Sequence, residues 1–335
     1  MSLGKKKIQH QAAAAGITGT DHFNMVTYET DGSYDEITGV GFQPDWVWIK
    51  RRNGGGNHYV FDSVRGVHKA LFPDETYDET NNSNYLTAFE ADGFDLGSAS
   101  AGANSALVGS GNTYVAWCWK GGGSSVSNTS GSITSSVSAN TDAGFSIVKF
   151  TTSGGTGTVG HGLSSTPSAV LMKRTNTTSD WYFFTTAIDG SMDLLKLNTT
   201  DSQIADSLQA FTSTTFKDWA SSGDWIAYCF HSVDGYQKIG TYSGSSSTVT
   251  VTTGFEPRFV IIKRYDSPGY DWIMYDQVRS GGTDMDDYLA PNTTVEEVTG
   301  SAIDITAIST GFTVESGNWA GINTSGGSYL YWAIA

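Results

Sequence analysis

Apolar runs closed by a basic pair recur along this chain. Trp46-Val47-Trp48-Ile49 leads into Lys50-Arg51, Ala169-Val170-Leu171-Met172 into Lys173-Arg174, and Phe259-Val260-Ile261-Ile262 into Lys263-Arg264. A proline precedes each lysine by six residues: Pro44, Pro167 and Pro257. The pattern around each run repeats too. An aromatic strand comes before it (Val26-Thr27-Tyr28, Val148-Lys149-Phe150, Gly240-Thr241-Tyr242). A polar turn follows it and leads to a second apolar run: 58–62, Trp181-Tyr182-Phe183-Phe184, and 272–276. Each unit ends on a further aromatic strand, Tyr114 to Trp119, Trp225 to Phe230, and Tyr329 to Ile334. Short β-branched and aromatic runs separated by Gly, Asn or Pro are hairpin signals. An internal repeat sets the architecture ahead of any local motif.

The expected fold is therefore all-β: three tandem antiparallel β-sandwich repeats, jelly-roll-like, with a short N-terminal arm. Each unit of about ninety to a hundred residues has the size of one sandwich. The arm covers 1–20, with a short helix over 5–15, and the repeats cover 21–120, 142–233 and 234–335. The Gly/Ser-rich stretch 121–141 reads as a flexible linker, or its later part as an edge strand of the second repeat. On this reading the second and third repeats pack rigidly while the first swings. The one helix expected in the body is short, over 202–211.

Composition sharpens the class. With 40 Gly and only 6 Pro in 335 residues, many turns between short strands are expected. A net charge of −15 argues against a nucleic-acid surface and against anchoring on anionic lipid. It favours solubility at high local density. No apolar run approaches the length of a membrane helix, and the basic start lacks the apolar segment of a signal peptide. Cys118 and Cys229 stand at equivalent places in two closing strands, so the two are expected apart, reduced and buried.

The segments Ile37 to Asp45, Phe61-Asp62-Ser63-Val64-Arg65-Gly66, Tyr114 to Lys120, Ala143 to Val148, Gly160-His161-Gly162-Leu163 and Gly254-Phe255-Glu256-Pro257 are similar, in order, to those of a family of tailed-bacteriophage virion proteins, common in aquatic phages and cyanophages. The resemblance spans nearly the whole chain. It implies a virion location and a role as tail-fibre or other structural protein, and it carries over no catalytic residues.

Several residues are candidates for chemistry. The basic pairs Lys50/Arg51, Lys173/Arg174 and Lys263/Arg264 are either clamps for acidic glycans or scaffold, paired with Asp62 and Asp276 across the hairpin. Recurrence in every unit favours the scaffold. Asp62 with Arg65, and Asp276 with Arg279, are spaced to tie down a turn. Asp284, Asp286 and Asp287 are a calcium candidate without an EF-hand pattern; no other cofactor or metal is expected. Sugar faces stack on aromatic rings, so Tyr77, Tyr85, Trp219, Tyr265, Tyr270 and Trp319, all in loops, are the candidate ligand platform. Lys5, Lys6 and Lys7 are candidates for attachment to an acidic virion protein. The six histidines show no metal-ligand spacing, and neither a nucleophile elbow nor a phosphate loop is present.

The expected function is thus that of a non-enzymatic virion protein, an exposed tail fibre or adhesin contacting host glycan. A capsid decoration or head-fibre protein is the alternative, and a glycan-depolymerising tailspike the third reading. Partners would be other virion proteins, with a homo-oligomer, trimer favoured, set by particle symmetry.

Overall fold

A computed structural model of the chain describes residues 19–99, 105–205, 211–218, 221–315 and 319–335. The arm, with Lys5, Lys6 and Lys7 and its expected helix, lies outside these residues, as does Trp219. Among the described residues the regular secondary structure is almost all strand, with only short helical turns such as Gln277–Ser280.

Each unit is built on four antiparallel strands in one order: opening, closing, proline and partner strand. In unit 1 these are Phe23–Thr30, Asn112–Trp119, Trp46–Arg51 and Tyr59–Asp62. In unit 2 they are Phe145–Thr152, Gly223–Phe230, Ala169–Arg174 and Trp181–Thr185, and in unit 3 Gln237–Ser243, Ser328–Ile334, Phe259–Arg264 and Trp272–Asp276. The registers match as well. The first residue of the proline strand, Trp46, Ala169 or Phe259, faces Trp119, Phe230 or Ile334 of the closing strand. A smaller antiparallel sheet covers one face of each inner sheet. It contains Gly93–Leu96 in unit 1, Thr158–Gly160 in unit 2 and Gly311–Val314 in unit 3.

Successive residues of a strand point to opposite faces, and here both faces are buried. Val47 and Ile49 turn outward against Phe94 and Leu96 in the unit's own core, whereas Trp46 and Trp48 turn inward. Val170 and Met172 face outward in unit 2, Leu171 inward; Val260 and Ile262 face outward in unit 3, Ile261 inward. This is why the runs are continuously apolar instead of alternating, a pattern known from sheets covered on both sides.

The inward faces of all three units meet in one central core. Trp46 stacks on Tyr228 of unit 2 at 4.5 Å between ring centroids, Phe23 packs on Phe259 of unit 3 at 5.2 Å, and Phe230 of unit 2 on Trp332 of unit 3 at 4.3 Å. A gap of about 10 Å³ beside Trp48, Leu171 and Ile261 is at the lower limit for one water.

Three expectations change. Unit 1 does not swing, because its four tryptophans of the proline and closing strands are buried in the shared core. Stretch 121–141 is not a free linker: Val126–Asn128 and Ser135–Asn140 pair with each other, and the latter pairs with Phe145–Thr152, extending the sheet of unit 2. Among the described residues of the expected helix over 202–211, Ile204–Ala205 is an edge strand paired with Asp193 and Leu194. Backbone pairing with the sheet edge there outweighs local helix propensity.

Candidate functional site: the seams and far end of the core

Antiparallel registers put all three unit junctions at one end of the molecule. Phe23 pairs with Trp119, Phe145 with Phe230 and Gln237 with Ile334, each beside a junction. Gly19 packs against Ala335 at this end, so tightly that a Cβ on Gly19 would meet the Ala335 carbonyl oxygen at 2.4 Å. The proline strands run from the junction end to the far end, where Lys50, Lys173 and Lys263 sit.

All three lysines are inaccessible to solvent. The expected pairing with Asp62 and Asp276 does not occur, because in an antiparallel hairpin Asp62 lies opposite Trp46 at the mouth while Lys50 lies beside the turn. Each ammonium instead donates to main-chain carbonyls at a seam. Lys50 Nζ donates to Gly56 O and to Thr294 O of unit 3 at 3.1 Å, and Lys173 Nζ to Ser179 O at 2.5 Å and Thr76 O of unit 1 at 2.9 Å. Lys263 Nζ donates to Tyr270 O. Burial pulls each lysine down to about 8. These are scaffold groups, closed to any glycan.

The seams repeat in a cycle. Gly56 N donates to Thr294 O (2.8 Å), Ser179 N to Thr76 O (2.9 Å) and Gly269 N to Thr200 O (2.9 Å), linking unit 1 to 3, 2 to 1 and 3 to 2. Glu297 N donates to Arg52 O at 3.0 Å, Glu79 N to Thr175 O at 2.9 Å and Gln203 N to Tyr265 O at 2.9 Å, closing the same ring. The first residue of each partner segment adds a third bond. Trp181 Nε1 donates to Phe72 O at 2.7 Å and Trp272 Nε1 to Lys196 O at 3.0 Å. In unit 1 the place belongs to His58, whose Nε2 donates to Ala290 O at 3.1 Å while Nδ1 accepts from Trp48 Nε1 at 2.9 Å. Burial holds His58 well below the usual imidazole range, so it is neutral and stands in for an indole N–H.

Ion pairs reinforce two of the seams. Asp62 accepts from Arg65 N at 2.7 Å and Arg65 Nε at 2.5 Å, and Asp276 likewise from Arg279 N at 2.8 Å and Nε at 2.5 Å, the turn tie expected from the spacing. The neighbouring unit reads each carboxylate: Tyr228 OH donates to Asp62 Oδ2 at 2.8 Å and Trp117 Nε1 to Asp276 Oδ2 at 3.0 Å. Unit 2 carries Thr185 at this place, and the equivalent donor, Trp332 Nε1, turns to Gln237 Oε1 at 3.0 Å.

The expected aromatic platform does not assemble as one surface. Tyr85 is buried, wedged edge-on against Tyr59 and Phe61 in the core of unit 1. Tyr265 is half-buried in the seam between units 2 and 3. Tyr270 and Trp319 do meet, at 5.7 Å, but the Arg264 guanidinium lies 4.6 Å from the Tyr270 ring and Trp319 folds over Gly321. Among the described candidates Tyr77 is the exposed one, at 49 %, with its ring edge-on to Phe72 at 6.1 Å. Sequence reasoning missed its company. Val295, 57 % exposed, follows the equivalent seam carbonyl of unit 3, as Tyr77 follows Thr76 in unit 1, whereas the same place in unit 2 is Asp201. Units 1 and 3 thus present exposed apolar side chains at the far end, beside Glu75 and Glu296, while Ile204, 52 % exposed, lies on an edge strand level with Val170, nearer the junction end. Tyr34, 54 % exposed, follows the far end of the opening strand of unit 1.

The acidic loop does not converge. Asp287 accepts from Gly300 N at 3.0 Å and faces Arg52 at 4.0 Å, while Asp284 lies in a strand opposite Thr306. Among the described residues no three His, Cys, Asp or Glu side chains are placed to hold a metal ion. Cys118 and Cys229 are free thiols in the outward cores of their own units.

Fold and site together define an all-β protein whose three sandwich-like units close around one core and meet solvent with acidic, apolar-tipped loops. The chain belongs to the family described as a domain of unknown function (DUF7483), whose model matches residues 18–335. Neither a curated protein nor a solved structure matches it.

Proposed function

We propose that this chain is a non-catalytic bacteriophage virion protein, an exposed adhesin joined to the particle from the junction end and meeting the host surface with the far end. The observation that carries this reading is the polarity of the molecule. The described body begins and closes at the junction end, where Gly19 packs on Ala335, and the apolar tips Tyr77 and Val295 stand at the other. Exposed apolar groups rimmed by charge mark interaction surfaces.

A capsid decoration role is the second reading. It is favoured by the open cleft of about 470 Å³ at the junction end, lined by Gln43, Lys120 and Asp142 beside the hydrogen-bonded His22, Asn140 and Asp45, a second polar surface away from the far end. The test is binding of the purified protein to host cells and to host polysaccharide, with Tyr77→Asp and Val295→Asp. The adhesin reading expects binding that both substitutions abolish without lowering the unfolding temperature. Binding to capsids and not to cells would overturn it, and release of reducing sugar ends would replace it with a depolymerase.

A further inference from the structure

The seam between units 2 and 3 lacks the arginines that pair with carboxylates at the other seams, and its lysines are engaged elsewhere, Lys263 with Tyr270 O and Lys196 with Asp180 at 2.9 Å. Where units 3 and 1 meet, Arg279 binds Asp276 and Glu297, and Arg52 bonds Glu297 at 2.7 Å and faces Asp287. Where units 1 and 2 meet, Arg65 binds Asp62 and Glu79, and Lys69 lies 3.5 Å from Glu79. The same register in unit 2 puts Ile188 in place of the buried arginine, Gln203 in place of the glutamate, and Tyr265 of unit 3 in place of Arg52. Asp193, the counterpart of Asp287, nonetheless keeps its charge-bearing side chain.

The result is a set of oxygens without partners. Asp193 is inaccessible to solvent, and both its carboxylate oxygens and Gln203 Oε1 are buried with no hydrogen-bond donor. Asp193 and Gln203 share one face of the paired edge strands, two residues apart in register, because Asp193 lies opposite Ala205. A buried carboxylate without a counter-charge is strongly unfavourable. Burial, with Asp189 nearby, pushes this carboxyl up to about 6, which leaves it mainly ionised at neutral pH.

We infer that the seam between units 2 and 3 is a cation-binding site, in which Asp193 and Gln203 hold from solution the positive group that Arg65, Arg279 and Arg52 supply within the chain elsewhere. The donors are all oxygen, with a single carboxylate, which suits a guanidinium or a hard metal ion and not a soft one. The two-residue edge strand Ile204–Ala205, exposed at both residues, is the thin cover through which such a group enters.

The test is thermal unfolding of the whole protein at pH 7.5 in a tetramethylammonium buffer, titrated separately with methylguanidinium, sodium and calcium at millimolar concentrations or below. The expected result is a midpoint that rises with the logarithm of one of these ions in the wild type and stays flat in Asp193→Asn. The three arms distinguish an organic cation from a metal. A second variant guards against loss of folding. Thr185→Asp with Ile188→Arg and Gln203→Glu copies unit 3, and is expected to raise the midpoint without added cation and to remove the response. A wild-type midpoint indifferent to all three ions, or a response that survives in Asp193→Asn, would overturn the inference and leave Asp193 neutralised by a proton.

Discussion

Replacing Arg65 by isoleucine tests the seam argument most directly. Arg65 is almost fully buried and bonds Asp62 at 2.5 Å, Glu79 at 3.2 Å, Lys69 O at 3.1 Å and Val60 O at 3.0 Å. Without it Asp62 remains buried with only the Arg65-position N–H and the Tyr228 hydroxyl, and Glu79 keeps Lys69 alone. Breaking one side of a buried ion pair costs about 3–5 kcal/mol, because the remaining charge is uncompensated. Unit 2 shows how the fold manages without the pair, with Thr185 and Ile188 at these two places. Importing that solution as Asp62→Thr with Arg65→Ile removes the stranded carboxylate. The double variant should recover all but roughly 1–2 kcal/mol, the residue being the acceptor lost by Tyr228 and the ion partner lost by Glu79. Urea unfolding reads both, as a shift in midpoint at constant slope. The reasoning fails if Arg65→Ile costs no more than a surface substitution, about 0.5 kcal/mol, or if the double variant is no more stable than the single one.

Other outcomes follow from the same geometry. Lys173→Met should lie within about 1 kcal/mol of wild type in urea at pH 7, since it removes a buried charge while Thr76 O keeps its bond from Ser179 N at 2.9 Å. The folded protein holds its three buried lysines near 8, below the unfolded value of 10.5, so it binds fewer protons than the unfolded chain between those values. Stability should therefore rise as pH goes from 8 to 10, less steeply in the methionine variant, which pH-dependent urea midpoints will show. Residues 19–120 expressed alone should associate or aggregate in light scattering, because Trp46, Trp48, Trp117 and Trp119 lose their cover. Cys118 and Cys229, buried and with thiols pushed far up by desolvation, should label with a thiol reagent only as fast as the protein unfolds.

The aromatic and β-branched runs, the prolines and the turn residues state strand, turn and repeat in local terms, so the all-β class was legible from the chain itself. So was the Asp62–Arg65 tie, since a spacing of three residues brings both groups to one turn. The same runs carried a further sign that went unread as such: continuous apolarity in place of alternation means two buried faces, and hence a second layer for each inner sheet. A single unit cannot say what that layer is. Only the tertiary structure decided that the other face of every unit belongs to its neighbours, which turned three expected sandwiches in a row into a closed ring with no free first unit. The positions of Lys50 and Lys173 depended on the same closure, because their acceptors Thr294 O and Thr76 O come from other units, more than ninety residues away in sequence. Exposure of Tyr77 and burial of Tyr85 were likewise beyond local reading, for both stand in polar loops and differ only in what folds over them. The chain determined its strands through short-range propensity and pattern; long-range packing between units decided which faces water meets.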